Sequence, residues 1–421
     1  MPVRVAARPL HPTVEALIAT TALVVATLVP ALVATRAAAQ ESGDQAVPAH
    51  IAFLDVFLDG TATLERDGQI EAASLSMPIV PGDRLRTTAG RVALLFSDAT
   101  ALDVDEDTAI DVLSPTLFRL SSGRVVLTVA GAGNPSRAVR YRFDTPAASV
   151  DTDGPGEFRI TVAAPNPSLL RTRDETELAV IRGFAQLANE RGTTNVLAGE
   201  RTVSFDGGAP TRPQIVNSAR FDPFDRWIGE RRAARVTASP DRYLPADLQM
   251  YGGTLNRYGS WHYMAPHGYV WRPIVSAGWQ PYYQGHWSSV GSYGWTWVGA
   301  DAWSWPTHHY GRWGHVRGEW FWIPGRTWGP AWVSWATAPD YVSWSPLGFD
   351  GRPVFALSIG AIEPSGGWVV LPRTAFGYRG YRVDRFAVAP HAVPRSTPFI
   401  RHARPPNVAG MRCVYSRGIV L

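Results

Sequence analysis

Aromatic and carboxylate side chains hold most of the chemical potential of this 421-residue chain. Fifteen tryptophans lie between Trp261 and Trp344, and only Trp227 and Trp368 stand outside that window. Indoles stacked on a surface make a platform for sugar rings or peptides, with the ring N–H as donor. Trp295, Trp297, Trp303, Trp305, Tyr310, Trp320 and Trp322 are the candidate ligand-binding aromatics. Trp295/Trp297, Trp303/Trp305 and Trp320/Trp322 are i,i+2 pairs, a spacing that puts both rings on one face of a strand. Trp271, Trp279, Trp287, Trp295 and Trp303 recur at intervals of eight. The opposite reading turns the rings inward. Residues 251–350 contain only eleven Val, Ile and Leu, so aromatics must fill the core there, each burying about 150–250 Å².

The same window has four acids, Asp301, Glu319, Asp340 and Asp350. A glycosidase needs two carboxylates flanking one sugar bond. Asp301 and Glu319 are the pair that would serve a carbohydrate-active enzyme, although nothing in their spacing brings them together. His262, His267, His286, His308, His309 and His315 match no zinc-ligand pattern, and no Cys stands among them. Hydrogen-bonding histidines at the rim of an aromatic core are expected instead. Asp103, Asp105, Asp107 and Asp111 resemble the start of a calcium loop. Thr108, however, takes the place of the turn glycine and Ser114 that of the bidentate acid. Acids alternating on the solvent face of a strand–turn–strand account for them equally well. No G-x-S-x-G, H-E-x-x-H, P-loop or G-x-G-x-x-G is present. Cys413 is the single cysteine, with no base beside it, and it excludes an intramolecular disulfide framework. The expectation is a non-catalytic chain with no metal and no cofactor.

The elements that must position these residues are mainly β. Between about residues 49 and 210, short β-prone runs such as Arg91–Phe96, Gly123–Val129 and Glu157–Val162 are separated by turns at Pro81-Gly82-Asp83, Gly90, Gly123 and Asp153-Gly154-Pro155-Gly156. That pattern predicts a β-sandwich or a compact β-solenoid. Residues 221–236 predict one linker helix. Asp222 is the N-cap, Pro223 the first helical residue and Asp225 the capping-box acid, while Phe224, Trp227 and Ile228 share a face. This helix is expected to be a spacer that docks on one domain. Residues 251–350 predict very short strands and turns. Residues 351–389 are expected to add edge strands at Trp368–Pro372 and Arg385–Val388, and residues 390–421 to form an Arg- and Pro-rich disordered tail. At the start, Arg4 and Arg8, an apolar stretch from Ala16 to Ala34 and the small residues Ala37-Ala38-Ala39 predict a signal peptide over residues 1–39. Retention of that stretch as an anchor is the alternative, and no later segment reaches transmembrane length.

Several steps in the first half form a recognisable series. Pro81-Gly82-Asp83-Arg84-Leu85-Arg86-Thr87, the strand from Gly90 to Phe96, Phe118-Arg119-Leu120-Ser121-Ser122-Gly123-Arg124-Val125, and Phe143-Asp144-Thr145-Pro146-Ala147-Ala148 occur in the order seen in FecR-type periplasmic domains, which this region resembles. Two departures are Asp98-Ala99 in place of Asp-Gly and Gly156-Glu157-Phe158 in place of G-T-x-F. FecR-like regulators also carry a cytoplasmic domain that handles a sigma factor. About fifteen residues precede the apolar stretch here, too few for a folded domain, so no sigma-factor partner is expected. The later region resembles a Trp-rich domain of unknown function that follows FecR-like domains in exported bacterial proteins. That resemblance rests on His309–Trp313, Trp320–Gly325, Trp328–Trp335 and Tyr341–Leu347.

All 40 basic residues are Arg and the formal charge is +4. A GC-rich coding sequence accounts for the Arg usage, and no nucleic-acid partner is expected. From Arg373 to Leu421 nine Arg face one acid, Asp384, which suits an anionic envelope polymer or another envelope protein. The expected function is therefore an interaction or structural module in the periplasm or outside the cell. A glycan- or peptidoglycan-binding module is the alternative.

Overall fold

The computed structural model describes residues 46–56, 62–131, 139–164, 168, 173–216, 222–236, 242–357, 367–377, 381–389, 392–394, 396–402 and 404–405. The signal-peptide stretch and Cys413 lie outside these residues. The chain is mainly β, with few and short helices.

The first half is two sheets that share one strand. Leu117–Val129 is long enough, at 13 residues, to run through both. Its first half pairs with Ala109–Ser114 and, in parallel, with Arg142–Asp144. Its second half pairs with Ala101–Val104 and Gly156–Ala163. The alternating pattern of each strand sends one face inward. Leu64 and Leu85 from one sheet, Leu102 and Phe158 from the other, and Leu120 and Leu127 from the shared strand have zero exposure in one common core. This is a sandwich arrangement.

The motif residues close its turns. Asp83 accepts the backbone N–H of Val80 at 2.9 Å and forks onto the buried Arg66 at 2.7 and 2.6 Å. Thr87 donates to the carbonyl of Asp105 at 2.5 Å and accepts the N–H of Thr108 at 3.1 Å. Both side chains replace hydrogen bonds that a buried turn would otherwise lack.

The helix Pro223–Val236 begins with a reciprocal capping box. Asp222 Oδ1 accepts the Asp225 N–H at 2.9 Å, and Asp225 Oδ2 accepts the Asp222 N–H at 3.2 Å. Phe224, Trp227 and Ile228 pack on Ala93 and Val126 of the sandwich. Ion pairs Arg124–Asp222, Arg159–Asp225 and Arg232–Glu157 hold the same face.

Beyond it lie three small antiparallel sheets. One has the order Gly259–Met264, Gly268–Pro273, Glu319–Trp328, Tyr310–Val316. The second is the hairpin Gly285–Val290 with Gly294–Gly299. The third has the order Val369–Pro372, Tyr341–Pro346, Val333–Thr337, Ile400–His402. Ala52, Leu95 and Ala101 of the sandwich pack into the aromatic core of this region, so the two halves meet through apolar contacts.

Two local expectations are corrected. The predicted edge strand at Arg385–Val388 is instead a helical turn, Val383–Phe386, which lets the Tyr381 and Phe386 rings stack at 3.7 Å. Ile400–His402, within the stretch expected to be disordered, is a strand on Trp335–Thr337, where Thr337 Oγ1 and His402 Nε2 are 2.8 Å apart. Its pairing partner lies more than sixty residues upstream in sequence, out of reach of any local pattern.

Candidate functional site

The tryptophans turn inward. Thirteen of the fifteen are buried, and only Trp261 and Trp295 are half-buried. In the four-stranded sheet, Trp261 faces Trp271, Trp271 faces Trp322, and Trp322 faces Trp313 across successive strands. Four indoles thus form one row across the sheet, on the face that packs on Trp279 and Trp303. Trp287 faces Trp297, and Trp335 faces Trp344, in the other two sheets. Directly opposed side chains lie close enough for edge-to-face packing. The 70° between the Trp287 and Trp297 planes, at 5.3 Å, is such a contact.

Six of the seven candidate ligand-binding rings are therefore buried: Trp297, Trp303, Trp305, Tyr310, Trp320 and Trp322. Trp295 keeps partial exposure but lies on Phe376 at 4.7 Å. The exposed row of rings is not formed by these residues. Nor do Trp303 and Trp305 share a strand face. Trp303 precedes, and Trp305 belongs to, the short helix Ser304–His309. The eight-residue recurrence likewise marks no structural repeat, because Trp271, Trp287 and Trp295 are on strands and Trp279 is in a turn.

Five of the fifteen indole N–H groups donate to backbone carbonyls. Trp271 donates to Leu255 O at 3.0 Å, Trp313 to Thr307 O at 2.9 Å, Trp322 to Tyr310 O at 2.7 Å, Trp332 to His309 O at 2.9 Å and Trp344 to Tyr282 O at 2.9 Å. A donor spent on a buried carbonyl satisfies the core and offers nothing to a ligand.

His308 and His309 are buried in the centre rather than at the rim. His308 Nδ1 donates to Ser304 O at 3.1 Å and His309 Nδ1 donates to Gly329 O at 2.9 Å. Burial pushes the His308 pKa down to about 3 and that of His309 to about 4. Both imidazoles are neutral packing groups at physiological pH. His50, on the first strand of the sandwich, is driven down by burial in the same way.

The acids take separate partners. Asp301 accepts the Trp279 N–H at 3.2 Å, and burial raises its pKa against that hydrogen bond. Glu319 pairs with Arg272 on the neighbouring strand. Asp103, Asp105 and Asp111 are buried, not solvent-facing, whereas Asp107 is exposed; arginines reach two of the buried acids, Asp105 pairing with Arg91 and Arg124, and Asp111 with Arg84. Among the described residues no group of three His, Cys, Asp or Glu is placed to hold a metal ion, and no helix is long and apolar enough to cross a membrane.

The exposed aromatic surface is elsewhere. The hairpin Gly259–Met264/Gly268–Pro273 sets Tyr263 opposite Tyr269, with 70% and 44% exposure. Tyr243 lies 4.1 Å from Tyr269 and 5.4 Å from Trp261, and Arg242 covers the Tyr243 ring at 4.9 Å. The row of indoles thus runs outward from Trp322 through Trp261 to a tyrosine ridge. The Pro266-His267-Gly268 turn between two aromatic runs is the hairpin signal that marks Tyr263 and Tyr269 as neighbours. Tyr243 joins them only through the fold.

A comparison with curated proteins finds no match. Among solved structures, the chain is similar at 12% identity to a putative anti-sigma factor from Parabacteroides distasonis, covering 30% of this chain and 55% of that one, with a TM-score of 0.24. A second structure with the same description and organism has 10% identity, 40% and 74% coverage, and a TM-score of 0.26. The chain thus spans about half the length of the first, and scores this low carry no inference about fold or function. Residues 252–351, the segment that contains the row of opposed indoles together with Tyr263 and Tyr269, match a family of unknown function, DUF6600.

Proposed function

We propose that this chain is a non-catalytic protein of the bacterial cell envelope, exported through its N-terminal signal, in which the Trp-rich region serves as a structural scaffold joined to a FecR-like sandwich. One observation carries this reading: thirteen of the fifteen clustered tryptophans are buried, and five of their N–H groups donate to backbone carbonyls. The separate engagement of Asp301 and Glu319 supports the absence of glycosidase chemistry, which needs two free carboxylates facing one bond. Neither a sigma factor nor a nucleic acid is a proposed partner. An anionic envelope polymer or another envelope protein is.

The tyrosine ridge favours a second reading, a glycan-binding module that uses Tyr243, Tyr263 and Tyr269 in place of the buried indoles. Titration of the full chain with peptidoglycan fragments separates the two, with Trp emission and released sugar both followed. The scaffold reading expects no change in either. An emission change lost in Tyr263→Ala would transfer the function to glycan binding. Sugar release lost in Asp301→Asn or Glu319→Gln would overturn the non-catalytic reading.

A further inference from the structure

The strand Gly259–Met264 ends its four-stranded sheet. It pairs with Gly268–Pro273 over six residues without a bulge, and among the described residues no strand pairs with its outer edge. Ser260, His262 and Tyr263 are exposed along it. Natural sheets blunt such an edge with charged residues, Pro, a bulge or a covering element. Gly259-Ser260-Trp261-His262-Tyr263-Met264 contains no Asp, Glu, Lys, Arg or Pro. An open, uncharged edge is a template for one more strand.

The side chains select which strand fits. Directly opposed residues of an antiparallel pair point to the same face of the sheet. Trp261 stands in the indole row with Trp271, Trp322 and Trp313, and Tyr263, two residues on, shares its face. A second copy of this strand, antiparallel and centred on His262, sets Trp261 opposite Tyr263 of that copy and Tyr263 opposite its Trp261. Two aromatic cross-strand pairs then continue the indole row from one sheet into the next. Ser260 opposes Met264 on the other face. A register shifted by one residue would send the rings of the second copy to the wrong face. Charge is compatible with self-pairing as well. The strand carries none, and Arg272 on the neighbouring strand is already paired with Glu319.

We infer that two copies of this chain associate through Gly259–Met264, edge to edge about a two-fold axis at His262, so that two four-stranded sheets become one. Such a contact is isologous, each copy offering the same residues to the other. Dimerisation adds to the scaffold reading and needs no glycan at the tyrosine ridge. A single strand pair is a small interface, so a weak dimer, with dissociation at roughly micromolar concentrations, is expected.

Sedimentation equilibrium of the full chain from about 1 to 200 µM, a range that brackets that affinity, should show a monomer–dimer equilibrium. Tyr263→Lys removes both aromatic pairs and leaves an exposed position exposed in the monomer, so it should weaken association by roughly tenfold or more. Val316→Lys, on the strand at the opposite edge of the same sheet, should leave it unchanged. The register is read by cross-linking in a Cys413→Ser background, which removes the single native cysteine. His262→Cys, opposite its own copy, should form an intermolecular disulfide on oxidation with diamide, whereas Ser260→Cys, opposite Met264, should not. A chain that stays monomeric across the concentration range would overturn the proposal. So would a dimer that Tyr263→Lys leaves intact, or one that cross-links through Ser260→Cys and not through His262→Cys.

Discussion

The His50 and Trp305 rings stack face to face, with centroids 4.1 Å apart and planes within 2°. His50 is on the first strand of the sandwich and Trp305 on the short helix at the centre of the Trp-rich region, and both are buried. This contact makes one packed body out of two regions that differ sharply in composition. Trp305 also touches His309 at 4.3 Å, so the junction continues directly into the indole core.

Replacing Trp305 by Ala should therefore cost about 3–5 kcal/mol, as truncation of a buried Trp generally does. The loss should move the far-UV and tryptophan-emission transitions in urea together, because sandwich and aromatic core share the contact. A shift smaller than about 1 kcal/mol, or one confined to a single probe, would show that the junction is not cooperative.

The buried histidines predict acid sensitivity. His50, His308, His309 and His286 all have folded-state pKa values lowered by burial, to about 3 for His308 and about 4 for His309 and His286. The unfolded chain binds protons near pH 6.5 while the folded chain does not. The stability they allow is thus complete above about pH 6.5 and is lost as pH falls towards the folded values. An imidazole with a folded pKa near 4 forfeits roughly 2 kcal/mol between neutral pH and pH 5. The melting temperature should fall steeply over that range. His50→Phe, which keeps a ring on Trp305, should make the fall shallower; an unchanged slope would remove His50 from the account.

Gly311 sits where the register between Tyr310–Val316 and Glu319–Trp328 shifts, at φ +71°. A Cβ there would collide with the carbonyl of Ile323 and approach the Trp322 indole. Gly318 has a similar φ of +86°, but open space around it. Gly318→Ala should cost about 1–2 kcal/mol of left-handed strain, whereas Gly311→Ala should fail to fold or lose well over that amount. Equal melting temperatures for the two variants would contradict this account.

Asp222 caps a helix and pairs with Arg124, which also reaches Asp105. Asp222→Asn preserves the cap acceptor and removes the charge, while Asp222→Ala removes both. The Ala variant should be less stable by about 0.5–2 kcal/mol, with the Asn variant between it and the wild type. Urea midpoints measure the order, and an Asn variant as unstable as the Ala variant would assign the effect to the ion pair alone.

Much of the framework is written locally. Turn chemistry at Asp83 and the alternation of Val125 and Leu127 are enough for a strand-rich first half. Asp222-Pro223 with Asp225 determines a helix start, since capping involves residues only three apart. The shortage of aliphatic residues between 251 and 350 likewise requires aromatic packing. What local sequence could not decide was direction and partnership. An i,i+2 spacing is correct for Trp295/Trp297 and Trp320/Trp322 but not for Trp303/Trp305, where a turn of helix intervenes. Whether a ring faces core or solvent depends on which sheet covers it, and that cover comes from residues dozens of positions away. The pairing of Asp105 with Arg91 and Arg124, the stacking of His50 on Trp305, and the exposure of Tyr263 and Tyr269 instead of the nominated indoles were settled only by tertiary structure, because burial is a property of neighbours brought together by the fold.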